Sequence, residues 1–161
     1  MTETADLYEP LLADIRDLYE QVRRRTNLRG HEDEAVRTYR AALWKLKLKG
    51  QTLRYLGTTS TEFTVALVDD LVILAGNDGD FGAVAELLGR LAYHHAREIV
   101  PPAAFKRLES EDPELDSLDW YRMADLFDYL GLYDALRELI AKARDHIDGD
   151  VRGVVDAYPD V

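Results

Sequence analysis

The chain has 161 residues, with 31 Asp/Glu against 20 Lys/Arg, a net charge of −11, and no cysteine. Its length fits one domain that buries its own core. The missing cysteine excludes disulfides, thiolate metal sites and cysteine nucleophiles.

The charge is divided along the chain. Residues 1–54 carry 11 bases and 9 acids, and residues 55–161 carry 9 bases and 22 acids. Between Glu34 and Glu62 there is no acid, while Arg37, Arg40, Lys45, Lys47, Lys49 and Arg54 all stand there. Such a division predicts two electrostatically different surfaces. Arginine outnumbers lysine 15 to 5, which together with the acid excess suits a GC-rich genome and a halophile.

In chain order, the N-terminal MTETADLYEP lacks the basic start and apolar run of a signal peptide. Pro10 then opens a first helix, whose stripe is Leu11, Ile15, Leu18 and Val22; Arg23, Arg24 and Arg25 suit its carbonyl end, and Asn27 and Gly30 mark the turn. A second helix starts at Glu32-Asp33-Glu34, runs along Val36, Tyr39, Leu43 and Leu46, and stops at Gly50. Trp44, Leu46 and Leu48 alternating with lysines also fit a strand, but the start and stop signals favour the helix.

Thr59-Ser60-Thr61-Glu62 reads as a capping box opening the most apolar helix, to about Gly76. Its 63–75 stretch is far short of the roughly 20 residues that span a bilayer, and Asp69-Asp70 interrupts it. One of these two aspartates faces solvent and the other is expected to pair with an arginine of the first two helices. After a turn at Asn77-Asp78-Gly79, Asp80 caps a helix carrying Val84, Leu87, Leu88, Leu91, His95 and Ile99, which Pro101-Pro102 stops; a short helix follows to Leu108.

Residues 109–119 hold six acids and Pro113, an acidic loop. Trp120, Met123, Ala124, Phe127 and Leu130 make the next stripe, ended by Gly131, and Leu132, Leu136, Leu139, Ile140, Ala143 and Ile147 make another. A final turn spans 151–158.

Phe81-x-Ala83-Val84-x-Glu86-Leu87-Leu88-x-Arg90 echoes Tyr133-x-Ala135-Leu136-x-Glu138-Leu139-Ile140-x-Lys142, 52 residues on. The second copy, with Trp120-Tyr121 and Gly131-Leu132-Tyr133 before it, resembles one tetratricopeptide unit. The offset of 52 is not the 34 of that repeat, so the likeness implies helical-hairpin packing alone.

No P-loop, dinucleotide fingerprint or serine-hydrolase elbow is present, and Asn77-Asp78-Gly79-Asp80 lacks the frame of a calcium loop. Adjacent His94 and His95 do not share a helix face as joint metal ligands would. Arg90-x4-His95 resembles the R-x4-6-H motif of HEPN ribonucleases, all-helical proteins in which Arg and His act on RNA; Arg25-x5-His31 fits it loosely. The resemblance implies RNA cleavage by Arg90 and His95. Against it, Leu91 replaces the polar residue that usually follows the arginine, and His95 continues the Leu88, Leu91 stripe as a buried structural histidine would.

These readings combine into an all-α single domain over 1–161, with six or seven helices packed as antiparallel hairpins around the 63–75 helix. The function expected is that of a small cytoplasmic protein-interaction module, an adaptor, regulator or subunit without catalysis, metal or cofactor. Its partner is a protein, a second copy included, bound through Arg37, Arg40, Trp44, Lys45, Lys47, Lys49 and Arg54, with no membrane contact. Nucleic acid bound by the same bases and aromatics, or cleaved by Arg90 and His95, is the second reading.

Overall fold

The computed structural model describes residues 32–113 and 115–159. The first expected helix and Arg25, His31 lie outside them. The described residues form nine α-helices and no strand: α1 Glu32–Leu43, α2 Leu46–Leu56, α3 Thr61–Ala66, α4 Val68–Ala75, α5 Asp78–Gly89, α6 Tyr93–Leu108, α7 Ser117–Tyr129, α8 Tyr133–Arg144 and α9 Gly149–Ala157. The all-α class holds; the helix count exceeds six or seven because three of the expected helices are broken and the final turn is a full helix.

The first break follows Leu43. Ala35, Tyr39 and Leu43 are buried at i, i+4 and i+8, but Trp44 and Lys45 leave the helix, Lys45 with extended φ −104° and ψ 113°. A new helix starts at Leu46, so Gly50 sits inside α2 rather than ending a helix, and Leu46 is exposed rather than inward. The strand alternative for this stretch is excluded. The second break is at Leu67, buried at φ −110° and ψ 11°, whose N–H is shared between the carbonyls of Phe63 and Thr64. The cap ahead of it is Ser60, which accepts from the Glu62 N–H at 3.3 Å, while Thr59 donates to the Leu56 carbonyl. The third break spans 90–92. It separates His95 from the Leu88, Leu91 stripe and leaves that histidine exposed, contrary to the buried role expected.

The prolines do not stop a helix: α6 runs through Pro101 and Pro102. Their missing N–H groups orphan the carbonyls of Arg97 and Glu98, one turn earlier, and both residues are exposed to water. Ala96, Val100, Ala103 and Ala104 bury the opposite face, and that burial outweighs the proline penalty.

Helix α4 packs against α3, α5, α6 and α7, so it is the centre of the fold as expected, shortened to Val68–Ala75. Leu71, Val72 and Ala75 are fully buried there. Helices α8 and α9 pack on α7 and on each other, and α2 joins α1 to α5. The α7–α8 turn is a Schellman motif. Gly131 takes φ +68°, its N–H meets the Asp128 carbonyl at 3.0 Å, and the Leu132 N–H meets that of Phe127 at 2.8 Å. Both members of the 52-residue echo lie in helices, α5 and α8, that pack on the helix before them. The acidic loop is 109–116, because Asp116 and Asp119 form the capping box of α7. Ile147 lies beyond the end of α8 and is exposed, not part of its stripe.

The final turn is a docked helix. Val151 and Val154 are buried, and Tyr158 donates its hydroxyl to Asp125 Oδ1 at 2.6 Å. Burial first, and that hydrogen bond second, push the phenol pKa well above its usual value. The folded state therefore holds the proton, and the stabilisation is complete below the unfolded phenol pKa of about 10 and lost as pH rises past it. We expect the melting temperature to fall above about pH 10, and Tyr158→Phe to lower it at neutral pH while flattening that alkaline fall. An unchanged alkaline slope in the variant would refute the assignment.

Candidate partner-binding surface

The acid-free stretch builds its surface at the α1–α2 joint. Asp70, in the first turn of α4, is the inward aspartate of the pair and is buried. Arg40 on α1 donates its Nε to Asp70 Oδ2 at 2.8 Å, and Trp44 donates its indole Nε1 to Oδ1 at 3.0 Å. Arg40 also reaches the Ala66 carbonyl at 3.4 Å. Asp69 faces outward and pairs with Lys106 at 2.5 Å. Lys49 reaches buried Asp80 at 2.5 Å, and Asp80 thus anchors α2 on α5 instead of capping α5.

Three of the seven expected partner-binding residues are therefore held by acids of the same chain. The structure leaves Arg37, Lys45, Lys47 and Arg54 exposed and without an ion pair among the described residues. Between and on either side of the two free lysines stand apolar side chains in water: Trp44 is 52 % exposed, Leu46 87 % and Leu48 41 %. Trp44 has its N–H satisfied, so its free part is apolar ring. Arg54 lies about two turns along α2, in a separate hollow of about 300 Å³ shared with Glu86 and Arg90.

Sequence reasoning missed Leu46 by placing it on the inward face of the second helix, and it left Leu48 out of the expected binding residues. The signal was available: in Trp44-Lys45-Leu46-Lys47-Leu48-Lys49 the apolar residues recur every second position, so no single helix face hides them.

The second candidate surface is a cleft of about 580 Å³ where α5 ends, α6 begins and α7 ends, lined among others by Glu86, Arg90, Leu91, Tyr93, Tyr129 and Leu130. Arg90 spends both terminal guanidinium nitrogens on backbone, donating to the Leu56 carbonyl at 2.9 Å and the Thr59 carbonyl at 3.0 Å. It closes the C-terminal end of α2, a structural task. His95 is exposed and stacks on His94 with ring centroids 5.2 Å apart, and it is not among the residues lining the cleft. Arg90 thus lines this cleft without His95.

A scan of protein-family models finds no match, and searches of the curated proteins and of the solved structures find none. The tetratricopeptide and HEPN likenesses rest on the few residues quoted for them. Among the described residues no group of three or more His, Asp or Glu side chains is placed to hold a metal ion, and no helix is long and apolar enough to cross a membrane.

Elsewhere the ion pairs are structural. Lys142 bonds Glu109 at 2.8 Å, which raises its pKa. Arg97 joins α6 to Asp134 of α8 at 2.9 Å.

Proposed function

We propose that this chain is a small cytoplasmic helical adaptor or assembly subunit that binds a protein partner through the α1–α2 joint. The observation that carries the reading is the exposure of Trp44, Leu46 and Leu48, interleaved with the unpaired Lys45 and Lys47. Large apolar side chains clustered in water mark interaction sites, and a tryptophan with its polar atom already bonded is a typical anchor. The lysines select an acidic partner surface and speed encounter with it. Arg37 extends the positive rim. Arg40 and Lys49 act indirectly, holding the joint on Asp70 and Asp80.

The ribonuclease reading has weaker support, because Arg90 is occupied by two backbone carbonyls and His95 lies outside its cleft. Binding of nucleic acid by the patch would rest on two or three free cations, and each phosphate contact contributes a strongly salt-dependent share, so such affinity fades at physiological salt. Apolar contacts do not fade with salt.

The test is capture from an extract of the source cell by wild type, Leu46→Glu, and Lys45→Glu/Lys47→Glu, with protein identification by mass spectrometry. We expect a partner retained by wild type and lost by both variants at unchanged melting temperature. Equal retention by all three, or salt-sensitive RNA binding as the only property the lysine variant loses, would overturn the reading.

A further inference from the structure

The α1–α2 patch has a chemical complement on the same chain. The His146 ring lies 5.1 Å from the Trp120 ring near the start of α7, and Lys142 near the end of α8 holds Glu109 of the acidic loop. The start of α7, the end of α8 and the 109–116 loop therefore share one end of the α7–α8 hairpin. That end exposes Ile147 by 94 % and Leu118 by 41 %. The corner bearing Ile147 is fixed: Arg152 donates to the carbonyls of His146 and Ile147 at 2.8 and 2.9 Å, and the Asp148 N–H donates to His146 Nδ1 at 3.1 Å.

The surroundings are acidic. Segments 109–116 and 145–150 contain eight Asp/Glu, and the exposed base that adjoins them is Arg144. Glu111 and Asp145 are exposed with no ion pair among the described residues, and Arg152 is occupied by carbonyls. Among the described residues, eight large apolar side chains are exposed. Three are tyrosines, and the other five are Trp44, Leu46, Leu48, Leu118 and Ile147. Every exposed aliphatic side chain of that size thus falls in one of two places, one framed by lysines and the other by aspartates and glutamates.

We infer that the partner seated on the α1–α2 patch is the acidic end of a second copy of this chain. Trp44, Leu46 and Leu48 pack on Leu118 and Ile147, while Lys45 and Lys47 face Glu111 and Asp145. This inference rests on the reading of the patch as a protein-binding surface. The two surfaces differ, so a pair of copies joined by a single such contact is head-to-tail, and each added copy presents a fresh patch and a fresh acidic end. Assembly then continues past the dimer, as an open chain or a closed ring.

Sedimentation velocity of the full chain over a concentration series tests it. We expect the mass to rise past that of a dimer, and to fall only in part in about 1 M salt, where the Debye length is about 3 Å and the lysine–carboxylate attraction is screened while the apolar contacts remain. Lys45→Glu/Lys47→Glu alone, and Glu111→Lys/Asp145→Lys alone, should each stay at monomer mass, because like charges then face each other. Their equimolar mixture should recover association, since each supplies the sign the other lacks. All four positions are exposed and unpaired, so both variants should keep the wild-type melting temperature, checked by circular dichroism.

A wild type that stays monomeric at every concentration overturns self-pairing, and so does a mixture that fails to recover, or a dimer plateau that Glu111→Lys/Asp145→Lys leaves unchanged. Monomeric wild type together with a captured protein that Leu46→Glu releases would sink only the self-pairing. Loss of neither association nor capture in Leu46→Glu would sink the patch itself.

Discussion

Leu71→Ala should destabilise the protein by about 2–5 kcal/mol, the range found for buried leucines truncated in well-packed cores. Leu71 has no solvent-exposed surface and sits on the helix that touches α3, α5, α6 and α7. Truncation there removes transfer free energy and leaves a void whose walls belong to several helices, so no single helix can move to fill it. For a chain of this size each kcal/mol lowers the melting temperature by roughly 2–4 °C. Urea unfolding with an unchanged slope and a shifted midpoint is the readout. A loss below about 1 kcal/mol would mean that α4 does not carry the core.

The core was readable because its signals are periodic. Val84, Leu87 and Leu88, then Met123, Ala124 and Phe127, then Leu136, Leu139, Ile140 and Ala143 recur at helical spacing, and all are buried. Gly131 was readable as a stop because only glycine takes φ +68° cheaply, and the chain uses it there. The breaks after Leu43 and at Leu67 were not readable. Neither position carries a glycine or proline, so nothing local ends the helix, and the joint is held from outside by the Arg40 and Trp44 bonds to Asp70. Conversely, Pro101-Pro102 and Gly50 are strong local stop signals that the fold overrides, the prolines through burial of the alanine-rich face of α6. The same logic governs the candidate site. The acid-free stretch located it, and the pairing of one aspartate with an arginine was foreseeable from the cost of burying a lone carboxylate. Which cations remain free depends on Asp70 and Asp80, contributed by α4 and α5, and no spacing in 37–54 reports that. Ile147 was hidden by its own stripe: it continues the α8 period, but the helix ends at Arg144, and Ile147 falls in the corner before the Asp148 cap of α9.

Asp119→Ala should cost about 1–3 kcal/mol, from a lost helix cap and a weakened buried ion pair. Asp119 and Arg107 are each nearly buried, with Asp119 Oδ1 3.5 Å from Arg107 Nε, and Arg107 also binds Asp112. The other Asp119 oxygen accepts the Asp116 N–H at 3.1 Å and completes the capping box of α7. Truncation therefore strips a buried cation of one of its two anions and a helix of one cap at once. Asp119→Asn keeps an acceptor for the Asp116 N–H and removes the charge, so its loss should be smaller, and the difference isolates the ion pair from the cap. Gly76 provides an independent check. A Cβ there would stand 2.5 Å from Asp119 Oδ1, closer than such atoms approach, so Gly76→Ala should destabilise by about 1–3 kcal/mol through overpacking. In the double variant Gly76→Ala/Asp119→Ala the obstructing oxygen is gone, and the two losses should add to clearly more than the measured total. Strict additivity in urea unfolding would show that Asp119 does not lie against Gly76, and with that the seating of α7 on the end of α4 would be wrong.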